Sequence, residues 1–146
     1  MKPNFTIFYT DDDPDDREFF LDIIGQLDES YNVVTQNNGQ QLLYALNNPP
    51  PHPCLVFLDI NMPGLSGYET LKRVRESEKH RELPIIMFST SSDENSIKKC
   101  RELGASYYLP KSGVFEQLKK SIEHTLKINW RTFIPGKNNF VYNYGL

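Results

Sequence analysis

The chain has 146 residues, enough for one domain with a single sizeable core. Charged residues make up 24% and hydrophobic ones 38%, the balance of a soluble globular chain, and a net charge of −3 carries no basic signature for direct nucleic-acid binding. No apolar run approaches a membrane span and Met1–Phe5 lacks a signal peptide's apolar segment, so the expected setting is cytoplasmic, with no membrane attachment.

Phe5–Thr10 is a β-rich run that ends in acid, Asp11, Asp12, Asp13, Asp15 and Asp16, with Pro14 among them. Pro14 suits a first helical turn, where acidic residues complement the helix dipole. Phe19, Phe20, Ile23, Ile24 and Leu27 recur at helical spacing and predict a first helix with Phe19 and Phe20 in its core. Tyr31–Thr35 reads as a second strand. Asn38 and Gly39 punctuate, and Leu42, Leu43 and Leu46 mark a second helix that the proline-rich stretch 47–53 ends.

Cys54–Leu58 is an apolar run of the kind buried on both faces, and it stops at a carboxylate, Asp59. Pro63, Gly64 and Gly67 then turn the chain. Ser66 is a candidate N-cap with Glu69 at the capping-box position, opening a third helix whose Tyr68, Leu71 and Val74 face the core. Leu83–Ser89 predicts a fourth strand, and a fourth helix runs from about Asp93 to the stop at Gly104. Ala105–Leu109 reads as a fifth strand, and Phe115, Leu118, Ile122 and Leu126 define a fifth helix. Cys54 and Cys100 read as small core residues rather than a disulfide pair.

Strands alternating with helices five times over imply right-handed crossovers and a parallel sheet covered on both faces. All strands then point the same way, so the residues just past their carboxyl ends share one edge: Asp11, Asp12, Asp59, Ser89 and Lys111. Any one of them alone reads as a cap or a solvated loop residue. Together, in order, they form a cleft lined by three carboxylates, a hydroxyl and an ammonium. Clustered hard oxygens suit Mg²⁺, with the backbone carbonyl of Asn61 as a further ligand. The chemistry this set supports is phosphoryl transfer to a carboxylate oxygen. The calcium-loop spacing of Asp11, Asp13, Asp15 and Asp22 is the weaker alternative, since Asp16 stands where that loop needs glycine.

These residues resemble a response-regulator receiver domain of two-component signalling systems. The matching segments are Asp11–Pro14, Leu58–Gly67, Met87–Thr90 and Gly104–Lys111, and the resemblance spans roughly residues 5–128. It implies a flavodoxin-like (βα)5 fold, a doubly wound five-stranded parallel sheet of order 2-1-3-4-5. It implies that Asp59 is the phosphoacceptor, that Asp11, Asp12, Asp59 and the Asn61 carbonyl hold Mg²⁺ or Mn²⁺, and that Ser89, Thr90, Tyr108 and Lys111 are switch and phosphate-contacting residues. The implied partners are a sensor histidine kinase or phosphotransfer protein and a downstream protein target, and a homodimer is a further candidate assembly. The implied output is a changed face of helix four, strand five and helix five.

The sequence departs from the family pattern at three points. Pro110 precedes Lys111, where receivers usually have Lys-Pro, so the Lys111–Ser112 bond is expected trans. Thr90 replaces a common alanine, and Ser89 replaces the more frequent threonine. The rivals are a degenerate receiver that binds partners without phosphorylation, and an aspartyl-phosphate phosphatase, which needs an acid where Asn61 stands. The expected division is a receiver over 1–128 and an aromatic-rich extension over 129–146, too short for an output domain. The extension is expected either to fold back on its own domain, with Pro135–Gly136 favouring a hairpin-like turn, or to pair with a partner.

Overall fold

Five short apolar segments pair side by side in the computed structural model, which describes residues 5–28, 30–136 and 138–144. They are β1 (Phe5–Thr10), β2 (Tyr31–Gln36), β3 (Leu55–Leu58), β4 (Ile85–Ser89) and β5 (Tyr107–Pro110), all parallel, in the order β2-β1-β3-β4-β5. Between them run α1 (Pro14–Leu27), α2 (Gly39–Asn47), α3 (Gly67–Glu76) and α4 (Glu94–Glu102), with a 3-10 turn at Glu78–His80, and α5 (Phe115–Lys127) follows β5. The sheet is parallel as the alternation of elements predicts, and its order is the flavodoxin-like one that the family resemblance implies.

Successive strand side chains point to opposite faces, and this divides the core in two. Phe8, Val56, Leu58, Met87 and Tyr108 meet α2, α3 and α4 through Leu42, Leu71, Val74 and Cys100. Ile7, Tyr9, Leu55, Phe57, Ile86 and Phe88 meet α1 and α5 through Phe20, Ile23, Ile24 and Ile122. A sheet covered on both sides leaves only its edges and strand ends for contact with ligands.

Helix starts follow the local signals. Asp13 caps α1 by accepting the Asp15 N–H, with Pro14 as the first helical residue, and Ser66 caps α3 by accepting the Glu69 N–H. Three expectations change. Phe19 is exposed, because Phe20, next to it in the chain, turns into the core and stacks on Tyr9 at 4.2 Å. Cys54 is exposed, because pairing in β3 begins one residue later, whereas Cys100 is buried as expected. Tyr68, half-buried, packs against the core as expected. The chain after α5 does fold back on its own domain, but among the described residues its pairing is a parallel bridge of Val141 with Tyr108 on the outer edge of β5 rather than a hairpin. Among the described residues no helix is long and apolar enough to cross a membrane.

Candidate functional site

The carboxyl edge of the sheet gathers the polar residues that end the strands. Asp11 lies just past β1, its N–H donating to the Gln36 carbonyl at 3.1 Å, so the strand pairing itself sets its position. Its carboxylate is buried: one oxygen accepts the Tyr9 hydroxyl at 2.9 Å and the Lys111 ammonium at 2.9 Å, and the other accepts the Asp13 N–H at 3.0 Å. Asp59 ends β3 in the same way, donating its N–H to the Thr10 carbonyl at 3.0 Å. The side chains of Asp11, Asp12 and Asp59 bring one oxygen each within 4.8 Å of one another.

Lys111 closes the cluster. Its N–H donates to the Ser89 carbonyl at 2.7 Å, so the β4–β5 pairing runs on past Pro110 and carries the lysine to the strand ends. The Lys111–Ser112 bond is trans, as expected. The Lys111 Nζ then lies 2.9 Å from Asp11, 2.9 Å from Asp16 and 3.6 Å from Asp59.

Charge at this edge is unbalanced. Burial pushes the Asp59 carboxyl up to about 7; Lys111 works against that rise, while Asp11 and Asp12 add to it. Burial disfavours the Lys111 ammonium, yet Asp59, Asp11 and Asp16 hold its pKa above the ordinary lysine range. Three carboxylates thus face one ammonium, and the Asp12 carboxylate joins Asp11 and Asp59 beside it. That excess of negative charge, carried entirely on oxygen ligands, fits a hard divalent cation. Asp13, Asp15 and Asp22 do not join the cluster among the described residues, which leaves the calcium-loop spacing without a site.

Ser89 is buried at the end of β4, and its Oγ accepts the Ser91 N–H at 3.1 Å. Thr90 is exposed, and with Tyr9, Asp16, Phe88 and Lys111 it lines a cleft of about 340 Å³ beside the acids. Asn61 is exposed two residues beyond Asp59. Tyr108 does not join the acid cluster. It lies buried on the α4 side of the sheet, donates its hydroxyl to the Ser91 carbonyl at 2.7 Å, and has a phenol pushed up to about 12 by burial.

Sequence reading missed three supports. Tyr9 anchors the Asp11 carboxylate, Asp16 shares the lysine, and Arg17 donates to the Asp11 carbonyl at 2.8 Å. Asp16 lies in the first turn of α1, where its acid reads equally well as a complement to the helix dipole. Gly67 has a stricter role than turning the chain. Its N–H donates to the Ile60 carbonyl at 2.7 Å, and a Cβ there would sit 2.2 Å from the Asp59 carbonyl oxygen. Gly67→Ala is therefore expected to lower stability by about 1–3 kcal/mol, the range for overpacking a close contact. Urea denaturation measures this; an unchanged midpoint would show that the Asp59–Gly67 contact is not tight.

The family model described as the response regulator receiver domain matches residues 7–123. The chain is 33% identical over 127 residues to a protein-glutamate methylesterase/protein-glutamine glutaminase of Trichodesmium erythraeum, a match covering 86% of this chain and 35% of that protein. It is 33% identical over 106 residues to the two-component response regulator ORR6 of Oryza sativa subsp. japonica, covering 72% and 61%. The chain thus spans less than two thirds of the length of either relative. Among solved structures, the response regulator TrrA of Thermotoga maritima in complex with Mg(2+)-BeF superposes with a TM-score of 0.67 at 30% identity, covering 82% of this chain and 97% of that one.

Proposed function

This chain belongs to the response regulator receiver domain family, and from that premise we propose that Asp59 accepts a phosphoryl group from a histidine of a sensor kinase or phosphotransfer protein. The observation that carries the proposal is the placement of the Asp59 carboxylate at the strand ends, beside Asp11 and Asp12 and 3.6 Å from the Lys111 ammonium.

An Asp59 oxygen attacks phosphorus; the new P–O bond forms as the P–N bond of the phosphohistidine breaks, and its electron pair returns to the imidazole. Lys111 offsets charge that develops on the transferred oxygens. Asp11, Asp12, Asp59 and the Asn61 backbone carbonyl would hold Mg²⁺ or Mn²⁺, which when bound neutralises charge on the phosphoryl group. The exposed rings of Phe19 and Phe115 border the cleft beside Lys111 and suit the apolar part of a docking kinase or phosphotransfer helix.

The response is a population shift. The Ser89 hydroxyl turns from the Ser91 N–H toward a phosphoryl oxygen, the loop after β4 re-forms, and Tyr108 repacks against α4. The face of α4, β5 and α5 changes, and a downstream protein or a second copy reads the change.

Incubation with Mg²⁺ and acetyl phosphate, followed by intact-mass measurement, is expected to show one phosphoryl adduct. A chelator or Asp59→Asn should abolish it. An unmodified wild-type protein, or an adduct that survives Asp59→Asn, overturns the assignment.

A further inference from the structure

The edge of β5 is occupied by the chain itself. In the order β2-β1-β3-β4-β5 the outer side of β5 is a sheet edge, which offers unpaired backbone groups to any extended segment. Here the returning chain takes them. Tyr108 donates its N–H to the Phe140 carbonyl at 2.8 Å, and Tyr142 donates its N–H to the Tyr108 carbonyl at 3.0 Å, on either side of the Val141 bridge. Phe140 is 1% exposed and belongs to the core on the α4 side. Tyr142 lies against His124 of α5, with ring centres 5.2 Å apart. The Tyr144 hydroxyl donates to the Pro110 carbonyl and lies 3.0 Å from Ser121 Oγ.

This segment meets the switch at two points. Tyr108, whose backbone it brackets, gives its hydroxyl to Ser91, and Ser91 gives its N–H to Ser89 Oγ. Pro110, whose carbonyl Tyr144 holds, directly precedes Lys111. A chain of hydrogen bonds therefore runs from the hydroxyl that answers a phosphoryl group to the residues that cover the β5 edge.

We propose that Phe140–Tyr144 is a latch on the α4–β5–α5 face, closed in the unphosphorylated protein and opened by phosphorylation of Asp59. The inference rests on the phosphoacceptor reading above. When Ser89 turns to the phosphoryl group, Ser91 loses the acceptor for its N–H and its carbonyl withdraws from Tyr108. The buried phenol then lacks its acceptor, so Tyr108 shifts and the two backbone bonds to the latch weaken. Opening bares a strand edge flanked by α5, a surface suited to strand addition by a partner. Coupling is reciprocal: opening the latch favours the phosphorylated state by the factor by which phosphorylation favours opening.

Hydrogen exchange of the full chain, read by mass spectrometry with and without Mg²⁺ and acetyl phosphate, tests this, with the phosphoryl adduct counted in the same samples. The Tyr108 and Tyr142 amides are expected to exchange about tenfold faster in the phosphorylated protein, the size of one lost buried hydrogen bond. Tyr144→Phe should speed the same amides without phosphorylation and accumulate more adduct at a fixed donor concentration. A protein that carries the adduct while its latch amides stay equally protected overturns the latch and leaves the phosphoacceptor reading standing. Protection retained together with a doubled mass in solution also overturns it, because the segment then lies on a second copy. A protein that takes no phosphoryl group removes both readings, and the adduct count distinguishes that case.

Discussion

Asp59→Asn is expected to make the metal-free protein more stable at pH 8, by ~2–4 kcal/mol. Burial and the acids Asp11 and Asp12 raise the Asp59 carboxyl from its ordinary 3.8 to about 7, so the fold resists the ionised form. In the unfolded chain the same carboxyl ionises near pH 4. Below that value the group is protonated in both states and costs nothing. As pH rises from about 4 to about 7 the unfolded state sheds its proton first, and folding stability falls. Above about 7 the loss is complete and constant. Asparagine keeps the shape and removes the titration, so the variant's advantage should be small at pH 4 and full at pH 8. The lower end of the range allows for Lys111, which loses a partner at 3.6 Å but keeps Asp11 and Asp16. Urea denaturation in EDTA at several pH values measures the effect. A variant no more stable than wild type at pH 8 would mean that the acids do not strain the apo fold.

The strand ends were legible in the sequence because each apolar run stops at a polar residue and a parallel sheet brings all such stops to one edge. That geometry alone places Asp11, Asp12, Asp59, Ser89 and Lys111 together, and it does so even with Pro110 ahead of the lysine, since backbone pairing to Ser89 carries Lys111 to the edge. Angular position on a helix was less legible. Adjacent residues lie about 100° apart, so the spacing that admits Phe20 to the core says little about which way Phe19 turns. The role of Asp16 was hidden for a similar reason: a run of acids around a helix start satisfies the dipole whichever one meets a lysine far along the chain, here 95 positions on. The tail was legible only as apolar enough to pack. Its place depends on which backbone groups of β5 are unpaired, and no side-chain pattern in residues 138–144 encodes that. Gly67 read as a turn residue because glycine's permissiveness is a local signal, whereas the contact that excludes a Cβ comes from Asp59, eight positions earlier.

Lys111→Met should act in the opposite direction, lowering the stability of the metal-free protein by ~3–5 kcal/mol at pH 8, the range for removing one partner of a buried ion pair. The ammonium is 11% exposed and faces the Asp11, Asp16 and Asp59 carboxylates, the first of them 1% exposed. Methionine fills most of the lysine's volume, so the loss reports charge rather than a cavity. Lys111 is the one group that pulls the Asp59 pKa down among the side chains that set it. Without it Asp59 holds its proton to higher pH, and uptake of that proton relieves part of the repulsion. The deficit should therefore shrink between pH 8 and pH 5. Mg²⁺ should shrink it as well, because a cation that binds the folded acids stabilises them by mass action. Two substitutions a few ångströms apart, one stabilising and one destabilising, then have a single origin in the excess of carboxylates over the lone ammonium. The double variant decides it: if Asp59→Asn raises stability by more in the Lys111→Met background than in the wild type in EDTA, the two residues are coupled through that charge. If the effects simply add, Lys111 contributes by packing against Phe88, whose ring centre lies 5.2 Å from its Nζ, and not by holding the acids together.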